Sequence, residues 1–168
     1  MEIAAPQDCA HVDNGTFSGS LSGNGYSARI HIPSRRLGSL KGVGRHVLYR
    51  GKNYVLDVAC GTGETACFLA ETFGCHIVGI DASDLQTKRA QRKKARCDLP
   101  VEFHQADAHH LSFPDDTFDA VFCEWTLCHL DIGQALKEMM RVTKPGGRMG
   151  IHGLCWKENV RDTIKQRF

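Results

Sequence analysis

Tyr54-Val55-Leu56-Asp57-Val58-Ala59-Cys60-Gly61-Thr62-Gly63-Glu64 decides how this chain folds. Its first five residues form a short apolar, β-branched run, the pattern of a strand buried on both faces. Small residues close the run with a tight glycine turn. From Glu64 to Phe73 apolar residues recur at Ala66, Phe68, Leu69, Ala70 and Phe73, near helical period, and Gly74 stands where a helix C-cap belongs.

The alternation continues downstream. His76 to Ile80 predicts a second strand, and Ser83 to Arg96 a helix that opens on an N-cap serine and carries Lys and Arg toward its last turn. Val101 to Gln105 predicts a third strand, Phe118 to Cys123 a fourth, Ile132 to Thr143 an amphipathic helix, and Arg148 to Gly153 a fifth strand after the turn Lys144-Pro145-Gly146-Gly147. Strands alternating with helices define an α/β fold: a doubly wound sheet of five parallel strands with helices on both faces. Upstream, residues 13–27 interleave glycine and serine, a composition that buries too little apolar surface to offset its ordering entropy. Residues 1–30 are therefore expected as a flexible arm, 29–52 as at best a weak helix, and 31–168 as the folded domain.

Length and composition agree with one globular domain: 168 residues, 42% hydrophobic. With 21 Lys+Arg against 19 Asp+Glu, net +2, bulk electrostatics selects neither nucleic acid nor an anionic membrane as partner. The run Lys88, Arg89, Arg92, Lys93, Lys94 and Arg96 has no interleaved aromatics for base stacking and is expected as a solvated helix face. No window approaches the roughly 18 apolar residues of a membrane span, and Met1 to Ala10 lacks a secretory pattern, so the expected location is cytoplasmic. The eight cysteines form no CxxC pair and are expected as reduced thiols, with no metal site.

In an open parallel sheet, ligands bind beyond the carboxyl ends of the strands where strand order reverses. The turn after strand one lets backbone amides approach a ligand closely. Asp57 in that strand would repel a dinucleotide's pyrophosphate and welcome a cationic amino group. Asp81, after strand two, suits a ribose diol. Asp107, after strand three, suits an adenine amino group, with the Ala108 amide for a ring nitrogen. The ligand so described carries adenine, ribose and an amino-acid ammonium, without phosphate.

These residues bring out a resemblance. Val55 to Gly63, Gly79-Ile80-Asp81, Ala106-Asp107-Ala108, Phe118-Asp119-Ala120-Val121 and Arg141 to Gly147 are similar to class I S-adenosylmethionine-dependent methyltransferases, in the small-molecule branch that includes quinone-biosynthesis enzymes. The resemblance implies a Rossmann-like domain with S-adenosylmethionine as cofactor and a small-molecule acceptor. It places the methionine part on the turn from Asp57 through Ala59, Cys60 and Gly61 to Gly63. It puts the ribose on Asp81 beside Ala82, the adenine on Asp107 and Ala108, and the Cys123–Glu124 backbone over the amino-acid end. Ala59 stands where the family often has glycine. The family's sheet also continues into an antiparallel hairpin that the 15 residues from Leu154 to Phe168 are too few to form. The chain thus reads as truncated or completed by another chain, its fifth strand leaving an open edge and a route to a homodimer.

Methyl transfer from a sulfonium needs positioning and, for a hydroxyl or amine acceptor, a base. His129, with Glu124 behind it, is the candidate base; the alternative is a helix-start histidine bonded to backbone. His109 and His110 are expected to face solvent or pin their loop. Cys60, Cys123, Cys128 and Cys155 fall on the ligand-facing rim, where a thiophilic acceptor is the minor reading and buried thiols the main one. Two further functional readings stand beside methyl transfer: a cofactor-binding module without activity, and a nucleotide-dependent oxidoreductase, which Asp57 disfavours.

Overall fold

The computed structural model describes residues 53–152, apart from the side chains of Cys128 and His152, and the backbone of three strands within residues 11–32. Those three, β1 (His11–Asp13), β2 (Thr16–Gly23) and β3 (Tyr26–Ile32), form an antiparallel sheet. The remaining strands are β4 (Tyr54–Val58), β5 (His76–Asp81), β6 (Val101–Gln105), β7 (Phe118–Glu124) and β8 (Thr143–His152). They form one sheet in the order β6-β5-β4-β7-β8, every pair parallel. Strand order therefore reverses at β4, with β5 on one side and β7 on the other, which opens a crevice beyond their carboxyl ends.

Among the described residues three helices cover this sheet: α1 (Glu64–Phe73), α2 (Asp84–Lys94) and α3 (Ile132–Val142). Side chains alternate across the pleat, so Val55 and Ile77 face α1 and α2, joining Leu69, Ala90 and Phe103, whereas Leu56, Val78 and Ile80 face α3, joining Met139, Val142 and Met149. Both faces are covered, and β4 is accordingly apolar on both. The helix ends obey local chemistry. Ser83 Oγ accepts from the Gln86 N–H, Asp131 Oδ1 accepts from the Gln134 N–H, and Gly74 closes α1 at φ 69°. At the foot of α3, Arg141 donates to Glu138, Asp115 and the carbonyls of Leu111 and Phe113, fastening the β6–β7 connection to the helix.

Several expectations change. Thr143 leaves the helix for β8, its Oγ1 donating to the Met139 carbonyl at 2.6 Å. The Lys-Pro-Gly-Gly segment then lies within β8 as a bulge, since Phe118 pairs with Thr143 and Ala120 with Arg148. Residues 11–32, expected largely as a structureless arm, carry β1 to β3, and β3 displaces the start of the weak helix placed at 29–52. The pairs Asp13↔Thr16 and Gly23↔Tyr26 leave two-residue connections that both read Asn-Gly, the dipeptide that favours two-residue hairpins. β8 is the last strand of the parallel sheet, and among the described residues no strand is hydrogen-bonded to its outer edge, although β3 lies near it. Residues 33–52 and 153–168, the latter with Cys155, lie outside the described residues.

Candidate functional site

The turn after β4 is shaped by backbone conformations that few residues adopt. Ala59, Gly61 and Gly63 have φ of 60°, 55° and 76°. Cys60 N–H donates to the Ile80 carbonyl at 2.8 Å and Gly63 N–H to the Cys60 carbonyl at 2.9 Å, which locks the turn to β5. Beneath it lies the Phe103 ring of β6. A Cβ on Gly63 would stand 2.5 Å from Phe103 Cζ, and one on Gly79 2.6 Å from Phe103 Cδ1, so both positions exclude a side chain. Above Gly61 the space is open.

A cleft of about 260 Å³ sits over this turn, between it and the end of β7. Asp57, Ala59, Cys60, Gly61 and Glu124 line it. Asp57 is 1% exposed and its Oδ2 has no hydrogen-bond partner. Burial, reinforced by repulsion from Glu124 and Asp81, pushes its carboxyl up to about 8. A buried oxygen left unsatisfied and beset by like charges favours a cationic partner. S-Adenosylmethionine, with its ammonium and sulfonium, fits that donor set; a pyrophosphate does not.

Asp81 is already engaged. Its Oδ2 accepts from the Gly61 N–H at 2.9 Å and its Oδ1 from the Ser83 N–H at 2.8 Å, so each oxygen keeps a lone pair for a ribose hydroxyl. The Ala106 N–H donates to the Asp81 carbonyl at 3.1 Å, bringing the loop after β6 beside β5. Asp107 on that loop is exposed and lies outside the cleft lining; the His109 N–H and then its ring hold the carboxyl below the usual range. Ala82 is exposed and its carbonyl accepts from Gln105, while Ala108 packs into the α3-side core. Asp57, Asp81 and Glu124 thus converge, and Asp107 stands one strand further out.

On the opposite wall, Glu124 Oε2 accepts from Thr65 Oγ1 at 2.6 Å and Oε1 from Trp125 Nε1 at 3.1 Å. Trp125, 39% exposed, holds the left-handed conformation at φ 61°. Thr62, Glu64, Thr65 and Trp125 also line the cleft and were not singled out for the cofactor from sequence; the first three lie in or beside the glycine turn, whose span was the available signal. His129 ends a 3-10 turn, Leu127–His129, and is exposed, outside the cleft lining. Cys123 is buried under the sheet's carboxyl edge. Among the described residues Cys60, Cys67, Cys75, Cys97 and Cys123 form no disulfide, no group of three or more His, Cys, Asp or Glu forms a metal cluster, and no helix is long and apolar enough to cross a membrane. Burial pushes the Cys60 and Cys75 thiols up, Cys75 to about 11, so neither is a ready thiolate for a thiophilic acceptor.

Comparison with known proteins identifies the family. The methyltransferase domain model matches residues 56–151, more than half of the chain. The chain is 38% identical over 111 residues to methyltransferase GfsG of Streptomyces halstedii, covering 64% of this chain and 40% of that protein. It is 40% identical over 104 residues to demethylmenaquinone methyltransferase of Listeria monocytogenes, covering 60% and 44%. Among solved structures, the [4+2]-cyclase SpnF superposes with a TM-score of 0.65 at 32% identity, covering 68% of this chain and 43% of that one. The chain belongs to the methyltransferase domain family. It is a class I, S-adenosylmethionine-dependent member, and it spans less than half the length of the relatives named here.

Proposed function

We propose that this chain binds S-adenosylmethionine over the β4 turn and transfers its methyl group to a small-molecule acceptor that enters past Trp125. The observation that carries the reading is the unpartnered, buried Asp57 Oδ2 beside Asp81 and Glu124. The cofactor supplies an activated methyl group, so the chain's task is to orient the reactants and exclude water. Asp57 takes the cationic end, Asp81 with Ala82 the ribose, and Asp107 with Ala108 the adenine. The turn from Ala59 to Gly63 and the Cys123–Glu124 backbone enclose the methionine part. Glu124, already gripped by Thr65 and Trp125, shapes the wall, and His129, on an exposed turn outside the cleft lining, is the base assigned where the acceptor is a hydroxyl or amine. Neither nucleic acid nor a membrane is a partner in this reading.

Calorimetry with S-adenosylhomocysteine against NAD tests the cofactor half: binding of the first alone is expected, and binding of NAD alone overturns it. A labelled-methyl assay over amine, phenol, quinol and thiol acceptors tests the transfer half. A second reading, cofactor binding without methyl transfer, is favoured by SpnF, a protein of this fold described as a cyclase; retained S-adenosylhomocysteine binding with no labelled product under any acceptor would select it.

A further inference from the structure

We propose that His109 is a positioning residue that ties the adenine end of the crevice to the acceptor-side corner, linking Asp107 to Asp131. It rests on the reading above that Asp107 faces the adenine.

The His109 N–H and ring Nδ1 both reach Asp107 Oδ1, at 2.9 and 2.6 Å. One residue therefore fixes one carboxylate oxygen twice and leaves Oδ2 to the ligand; His110 Nδ1 stands 3.8 Å from that oxygen, beyond hydrogen-bond range. On the ring's far side, the Asp131 N–H donates to Nε2 at 3.0 Å. Because Nε2 accepts, the proton sits on Nδ1, which is the tautomer the Asp107 carboxylate requires. Each bond thus selects the form of the ring that makes the other. The grip is doubled at the backbone, where Gln134 Nε2 donates to the His109 carbonyl at 3.2 Å. Asp131 is also the N-cap of α3, its Oδ1 accepting from the Gln134 N–H. The corner held this way follows directly on the Leu127–His129 turn. Recruitment of Asp107 by an adenine amino group reorients the imidazole plane and reaches the α3 corner through a bond 22 residues distant in sequence. Asparagine can supply a donor at the Nδ1 position and nothing at Nε2. Glutamine can supply an acceptor at Nε2 and nothing at Nδ1.

The test uses the full chain labelled with 15N, titrated with S-adenosylhomocysteine, with affinities from calorimetry. In the wild type the His109 ring shows the Nδ1–H tautomer and the Asp131 amide shifts on saturation. His109→Asn keeps the affinity within about threefold while the Asp131 amide stops responding. His109→Gln restores the response of that amide to the corner but weakens binding about tenfold, the factor for 1.4 kcal/mol. An Nε2–H tautomer in the wild type, a silent Asp131 amide at saturation, or both variants losing affinity and response together with Tm would overturn the linkage. Absence of any binding heat in the wild type instead defeats the cofactor reading, and the ring tautomer still judges the His109 geometry.

Discussion

On the β4 side of the crevice the chain is packed to contact. Asp57 is 1% exposed, and the Phe103 ring lies against Gly63 and Gly79. On the β7–α3 side, Trp125, His129 and Asp131 are exposed and are placed by hydrogen bonds rather than by packing. A shape enforced by a filled core tolerates little substitution, since an extra methyl group has nowhere to go. Polar bonds at a rim can be exchanged one for another. In the proposed function the packed side serves the cofactor and the rim serves the acceptor.

The largest effect expected is at the packed side. Gly63→Ala adds a methyl group into the Phe103 ring and forces a side chain onto φ 76°, at a cost of about 2–4 kcal/mol from overpacking and backbone strain combined. Chemical denaturation should read that loss directly. Adding Phe103→Leu should return part of it, because the ring is the obstacle; a Gly63→Ala chain of unchanged stability would show that the turn does not rest on Phe103.

Asp57→Asn comes next and acts in two directions. Burial first, then Glu124 and Asp81, hold the Asp57 carboxyl near 8, whereas in an unfolded chain it ionises near about 4. Between those values the folded state keeps a proton that the unfolded state has lost, so Asp57 lowers stability progressively as pH rises through that window. The asparagine should flatten this slope and raise Tm at pH 8. It should also weaken S-adenosylhomocysteine binding by about 1.5–3 kcal/mol, the range for a hydrogen bond to a charged group. Wild-type affinity, relative to the variant, should increase as pH climbs toward 8, because the ligand's ammonium favours the ionised carboxylate. A variant that binds as well as the wild type across that range would remove Asp57 from the site.

These two sides were unequally legible in the sequence. The strand runs, the Ser83 cap, and Asp57 and Asp81 at the ends of β4 and β5 follow from local patterns and from the rule that places ligands at the reversal of strand order. Phe103 shows nothing of its role, because a strand phenylalanine looks like any core residue until the glycines above it are known. The Thr65–Glu124 bond joins residues 59 apart, and no periodicity anticipates it. The loop-pinning part of His109 was open to sequence reading, but its second bond depends on where α3 begins in space. The strands at 11–32 were hidden by composition: glycine and serine argued for entropy, while the Asn-Gly pairs at 14–15 and 24–25 argued for hairpins.

The smallest effect sharpens the contrast most directly, since a non-glycine residue holds the left-handed conformation on each side. Ala59 has φ 60° and Trp125 φ 61°. Replacing Ala59 by glycine removes the strain of a Cβ in that region and loses one methyl group. The turn is already held by the Cys60 and Gly63 amides, so the net gain should be up to about 1 kcal/mol, offset in part by the unfolded chain's added freedom. Replacing Trp125 by glycine relieves the same strain but also breaks the Nε1 bond to Glu124 Oε1 at 3.1 Å, and should give no gain. Thermal unfolding of the two variants beside the wild type separates the sides. If Trp125→Gly stabilises as much as Ala59→Gly, the rim bond contributes nothing, and the acceptor-side wall is not held in place by Glu124.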